Sequence, residues 1–163
     1  MTIGQSMLPE FDQEMSVTRR VLERVPSDRP DWKPHPKSFS MAHLAQLVSW
    51  MPGWIGQTLT QDSLDLGKAA GYSNELTETL LKGFDAAVKS SREALNTVPD
   101  AAWSRKWHLK RGDMVLWTGV RDQVVRTHIS HLVHHRAQLT VYLRQNDIPV
   151  PAVYGPSADD RTF

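Results

Sequence analysis

The stretch that most restricts how this chain can fold runs from Arg121 to Asn146, RDQVVRTHISHLVHHRAQLTVYLRQN. Residues three or four apart share one face of a helix. His128, His131 and His135 follow that spacing, with Val124 before them and Gln138 and Tyr142 after. Val125, Leu132, Leu139 and Leu143 run alongside, so the helix carries these histidines beside its core-forming stripe. His134 lies further round, near the edge of the stripe. Four of the seven histidines therefore sit on one element.

Two histidines at i and i+4 raise their rings together one turn apart and can chelate one metal ion. His131 and His135 have this spacing, and His128 lies three residues earlier. The alternative is that these are core histidines bonded to backbone or carboxylate groups. No Glu follows His131, so the HExxH arrangement of a zinc protease is excluded.

The other segments read as three further helices and one extended region. A first helix is expected from Met7 to Val25, capped by Ser6 and ended by Pro26. Ser27 to Lys37 carries three prolines and reads as a loop anchored by Trp32. Ser40 is the expected N-cap of a second helix with the stripe Met41, Leu44, Leu47, Val48 and Met51. Pro52-Gly53 should kink or interrupt it, with a helical continuation towards Leu59. His43 falls at N3 of this helix, either as an exposed first-turn residue or as an inward-facing ligand.

Leu76, Leu80, Phe84, Val88, Leu95 and Val98 give a third helix, with Ser73 or Asn74 as its cap. Between about Ser104 and Thr118 the pattern changes to two short extended runs around a Lys-Arg-Gly-Asp turn. The only strand content is expected there, as a short hairpin before the last helix. The proline-rich tail IPVPAVYGPSADD should form an extended strap. These elements predict an all-α fold, a four-helix bundle, in a single domain over residues 1–163.

Composition removes several function classes. The chain has no cysteine, which excludes disulfides, thiolate metal sites and cysteine nucleophiles. Its formal net charge of +1 gives no footprint for nucleic acid or a membrane surface. Neither a spanning apolar run nor a signal peptide is read, so a cytoplasmic location is expected.

Thr18 to Pro26 (TRRVLERVP), Asp31 to Ser38 (DWKPHPKS), Pro52 to Trp54 (PGW) and His131 to Asp159 together resemble the DinB-like, damage-inducible four-helix bundles. The resemblance covers nearly the whole chain. It implies an up-down-down-up topology, frequent homodimers and a divalent metal (zinc, nickel or iron) held by three histidines. It also implies kinship with metal-dependent transferases that use low-molecular-weight thiols. The family's two ligands on the last helix fall on His131 and His135. Its third, on the second helix, falls on Leu47, which cannot ligate. His43 lies one turn earlier on the same face and is the candidate substitute, in a shifted site with His128 or His131.

Two functions follow. In the first, His43, His131 and His135 hold a metal, His128 or Gln138 orients ligands, and the protein is a thiol (S-) transferase acting on a small electrophile. No catalytic residue beyond the ligands can be named. In the second, the metal site is degenerate, and a dimeric bundle binds a small apolar ligand or acts in a stress response.

Overall fold

The computed structural model describes residues 1–162. Four long helices dominate it: α1 (Ile3–Leu22), α2 (Met41–Thr60), α3 (Thr77–Thr97) and α4 (Arg121–Gln145). Three strands, β1 (Ser63–Asp65), β2 (Lys106–Arg111) and β3 (Met114–Val120), lie between α2 and α4 in the chain. The start of α1 is set by a capping box. The Thr2 hydroxyl accepts from the Gln5 amide and the Gln5 side chain accepts from the Thr2 amide, so the helix begins before Ser6. Ser40 caps α2 by accepting from the His43 amide at 3.3 Å. At α3 neither Ser73 nor Asn74 is the cap, and the helix starts at Thr77 after an uncapped Leu76.

Side-chain pairings give the helix directions. Asp12 pairs with Arg92 and Arg19 with Asp85, so α1 and α3 run antiparallel. Along α2 and α3, Gly53 meets Ala87 and Gly56 meets Ser91, so these two run parallel. Thr58 meets His128 near one end of α2, and the Tyr142 hydroxyl donates to the Phe39 carbonyl beside the other, so α4 runs antiparallel to α2. The four helices are thus arranged up, down, down and up around one core. Phe11, Leu22, Leu44, Met51, Phe84 and Leu139 lie fully inside it. Removing each such side chain from water stabilises the fold by roughly 1.5–3 kcal/mol.

Two glycines let the helices approach. A Cβ on Gly4 would lie 1.9 Å from the Leu95 carbonyl oxygen, so α1 meets α3 there through backbone alone. A Cβ on Gly56 would lie 2.7 Å from the Ser91 hydroxyl. That hydroxyl is fully buried; it donates to the Pro52 carbonyl at 2.6 Å and accepts from the Gly56 amide at 3.0 Å. Pro52 has no amide hydrogen to give to the preceding turn. Helix α2 nevertheless runs through it unbroken, with a serine of α3 bonded to its backbone directly after the proline.

The fold is not all-α. Its strands form a three-stranded mixed sheet in the order β1-β2-β3. The hairpin β2–β3 is antiparallel and turns at Gly112, whose φ is +58°, a region suited to glycine. The correction is β1, which lies outside the stretch expected to hold strand and pairs parallel to β2, with Ser63 opposite His108 and Asp65 opposite Lys110. Three residues are too short to carry a readable alternation. The pairing is secured by Asp65, whose Oδ1 accepts from the amides of Gly67 and Gly112, each at 2.9 Å. Burial of Trp103 and Trp107, each 1% exposed, fastens this region to the helices.

The tail is held by a buried charge pair. Arg136, 1% exposed, donates to Glu14 Oε2 at 2.6 Å and to the Thr18 hydroxyl at 3.1 Å. Its other terminal nitrogen donates to the Tyr154 hydroxyl at 2.9 Å, and that hydroxyl donates to Glu14 Oε1 at 3.0 Å. Among the described residues no helix is long and apolar enough to cross a membrane.

The Ser91 bridge makes a measurable claim. Ser91→Ala is expected to lower the unfolding free energy by about 1–3 kcal/mol, because buried backbone groups lose their partner. The exposed neighbour change Ser90→Ala should stay within about 0.5 kcal/mol of the parent. Equal denaturant midpoints for the two variants would show that the bridge contributes nothing.

Candidate histidine centre

Helix α4 is fixed at its first residue. The buried Arg121 guanidinium donates to the carbonyls of Leu59 (3.0 Å) and Gln61 (2.9 Å) and to the Asp62 carboxylate (2.8 Å). It thereby satisfies carbonyls that the end of α2 leaves open. Further along, Arg136 faces Glu14 of α1. With one face of α4 tied to α1, the neighbouring face, bearing His128, His131 and His135, meets α2.

His131 and His135 come together as their spacing implies. Their Nε2 atoms are 2.9 Å apart, and His135 Nδ1 lies 2.7 Å from the carboxamide oxygen of Gln138. That oxygen can only accept, so Nδ1 of His135 carries a hydrogen. Nε2 of His135 then offers its lone pair, and Nε2–H of His131 donates to it. The His131 residue as a whole is exposed, yet its ring lies 6.0 Å from Trp54 and 4.7 Å from the His135 ring. Burial, then the neighbouring histidines, lower the pKa of His131; burial is also the main cause at His135, where the Gln138 bond opposes it. His134 stands on the outer side, its ring 4.9 Å from that of His135.

His128 sits deeper and apart from this pair. Its Nε2 is 3.2 Å from the Thr58 hydroxyl, and its ring lies 5.8 Å from Trp54 and 6.0 Å from Trp107, perpendicular to the latter. Burial, aided by His131, lowers its pKa to about 4, so it is neutral at neutral pH.

His43 is engaged elsewhere. Its ring is stacked between Phe39, with centroids 4.2 Å apart, and Tyr72, at 3.6 Å, and Tyr72 in turn stacks on Trp50 at 5.0 Å. Burial lowers the pKa of His43. Leu47, one turn on, is 6% exposed and belongs to the hydrophobic core. Among the described residues no group of three or more His, Cys, Asp or Glu side chains converges as a metal site.

A divalent ion held by nitrogens at about 2.0–2.1 Å sets two of them about 2.9 Å apart at a right angle, or about 3.4 Å apart at a tetrahedral one. The His131–His135 separation matches the first value, and Gln138 stands where an orienting group behind a ligand belongs. The pair fits two positions of a metal once His131 carries its hydrogen on Nδ1, because a ligating nitrogen must offer its lone pair. The third position does not fit, since Leu47 offers no donor and His43 is held between two aromatic rings.

Beside the pair, on the α3 side of α2, is a cavity of about 630 Å³. Its walls include Trp50, Trp54, Gln57, Leu64, Lys68 and Lys110. Trp54 thus borders both the cavity and the histidine pair. Neither the cavity nor the stacking of Tyr72 on His43 was readable from the sequence. Phe39 lies outside α2, one residue before its N-cap, and Tyr72 arrives from a distant connection, so neither contact follows from helical spacing.

A family model described as DinB family matches residues 1–162 of the chain. No curated protein matches it significantly. Among solved structures, a DinB-like protein from Bacillus cereus superposes with a TM-score of 0.68 at 19% identity, covering 92% of this chain and 97% of that one. A DinB-like protein from Bacillus subtilis gives a TM-score of 0.68 at 15% identity, over 88% and 95% respectively. At these identities the two structures establish likeness of fold alone.

The lowered pKa of His128 makes stability depend on pH. A histidine that binds its proton at about 4 when folded, against about 6.5 unfolded, favours the unfolded chain as pH falls between those values. Its contribution is full above the unfolded value, and about 2 kcal/mol is lost between about pH 7.5 and pH 5. Denaturant unfolding at the two pH values should show this loss in the parent and a smaller one in His128→Phe. Identical pH dependence in both would remove His128 as its source.

Proposed function

The chain belongs to the DinB family, and from that premise we propose that it is a small-molecule-binding bundle whose histidine centre is reduced to the His131–His135 pair. The observation that carries this reading is the fate of the third donor: Leu47 is part of the core, and His43 is stacked between Phe39 and Tyr72. Catalytic zinc sites normally supply three protein ligands, and two leave the ion weakly held. What remains well formed beside the pair is the cavity, whose volume falls within the roughly 300–1,000 Å³ usual for small-molecule sites.

A second reading is metal-dependent thiol transfer, and the right-angle separation of the two Nε2 atoms together with the Gln138 bond favours it. A bound divalent ion would supply Lewis acidity and lower the pKa of a coordinated thiol. In that reading His131 and His135 bind the ion, and Gln138 keeps the hydrogen of His135 on Nδ1.

Metal analysis of protein lacking a polyhistidine tag separates the two. After zinc or nickel loading and dialysis, the wild type and His43→Ala are expected to retain no stoichiometric metal. Leu47→His, with its fold checked by circular dichroism, should retain about one equivalent, because it completes a three-donor set. A wild type that keeps one equivalent, and loses it on His131→Ala, would overturn the reduced-centre reading in favour of the second.

A further inference from the structure

We propose that the cavity between α2 and α3 is a binding site for a planar aromatic molecule carrying one anionic group, a carboxylate or a sulfonate. This rests on the small-molecule reading above and names the class of ligand.

Three features of the walls carry it. The first is space kept open at a cost. Gly83 lies within α3, where glycine is roughly 0.5–1 kcal/mol less favourable than alanine. A Cβ at Gly83 would meet nothing within 4 Å, so no close packing requires glycine there. Across the groove, a Cβ on Gly53 would meet only Ala87, at an ordinary 3.6 Å. Helix propensity has been given up at Gly83 where the gain is room in the cavity.

The second feature is aromatic. Trp50 and Trp54 are both wall residues on α2, one turn apart. Trp50 is braced by Tyr72, their rings 19° from parallel. Large indole surfaces at an open site favour a flat aromatic partner.

The third is charge. The charged wall residues are Asp65, Lys68 and Lys110. Asp65 already holds the Gly67 and Gly112 amides, and the two lysines lie near enough to help lower its pKa. Among the described residues neither Lys68 nor Lys110 makes an ion pair. Two ammonium groups against one carboxylate leave a net positive wall, which an anionic group would balance.

The test uses two dyes of similar shape, anionic 1-anilinonaphthalene-8-sulfonate and neutral N-phenyl-1-naphthylamine, with the folded full chain near neutral pH. Saturable one-site binding of the anionic dye is expected, tighter than that of the neutral dye by about tenfold. Lys68→Gln with Lys110→Gln should remove that difference and leave the neutral dye unaffected. Gly83→Leu should abolish binding of both dyes, since its side chain enters the cavity. Independently of any variant, the Gly53 and Gly83 amide resonances should shift on dye addition. Equal affinity for the two dyes in the wild type, or no effect of the lysine changes, would overturn the anion preference and leave the small-molecule reading standing. Binding that Gly83→Leu does not alter and that leaves both amide resonances in place would overturn the site. Absence of saturable binding by either dye would overturn the small-molecule reading as well.

Discussion

The bundle depends on how closely α2 and α3 can run side by side. Parallel neighbours in a helical bundle have no short loop to hold them in register, so side-chain and backbone contacts must do it. Ser91 does so by placing its hydroxyl between the Pro52 carbonyl and the Gly56 amide, which is possible because Gly56 has no side chain in the way. The proline that weakens α2 is the point at which α3 bonds to it. Once α2 is fixed there, His43, Trp50 and Trp54 lie half-buried along one ridge of it, which also carries the core residue Leu47. Trp54 borders both the histidine pair and the cavity.

Helix α4 is set against this ridge by two buried arginines. Arg121 ties its start to the end of α2, and Arg136 ties its middle to Glu14 and, through Tyr154, to the tail. The terminal nitrogens of both guanidinium groups are bonded, so part of the desolvation is offset by directed bonds, while Nε of Arg121 is buried without a partner. Those bonds fix the rotation of α4 about its axis. Rotation is what decides that His131 and His135 point at α2, and that His128 sinks among Trp54, Trp107 and Thr58.

The pair itself is chemically self-sufficient. Gln138 selects the tautomer of His135, and His135 in turn accepts from His131. The lowered pKa values of both rings keep them neutral at neutral pH, where they bond to each other without a shared positive charge. His43 is held by stacking between Phe39 and Tyr72. In the reading proposed above, a reduced centre means that the pair and His43 keep these places without a third donor.

Much of this was legible in the chain. Helical periodicity located four helices, Ser40 marked the start of α2, and the four-residue spacing of His131 and His135 brought their rings together. These are local properties, fixed by the geometry of one helix. The capping box at Thr2 and Gln5 was also present in the sequence, and it outcompetes Ser6 because it satisfies two amides reciprocally. Tertiary structure alone decided the rest. Strand β1 exists because β2 pairs with it and because its own Asp65 carboxylate accepts from the Gly112 amide of the hairpin turn, and three residues carry no periodic signal of that. The place of His43 was decided by Tyr72, which packs on it from the connection between α2 and α3. The cavity arises where Gly83 and the residues around Asp65 leave space against α2. Each of these depends on distant segments meeting, and spacing along one helix contains no record of such meetings.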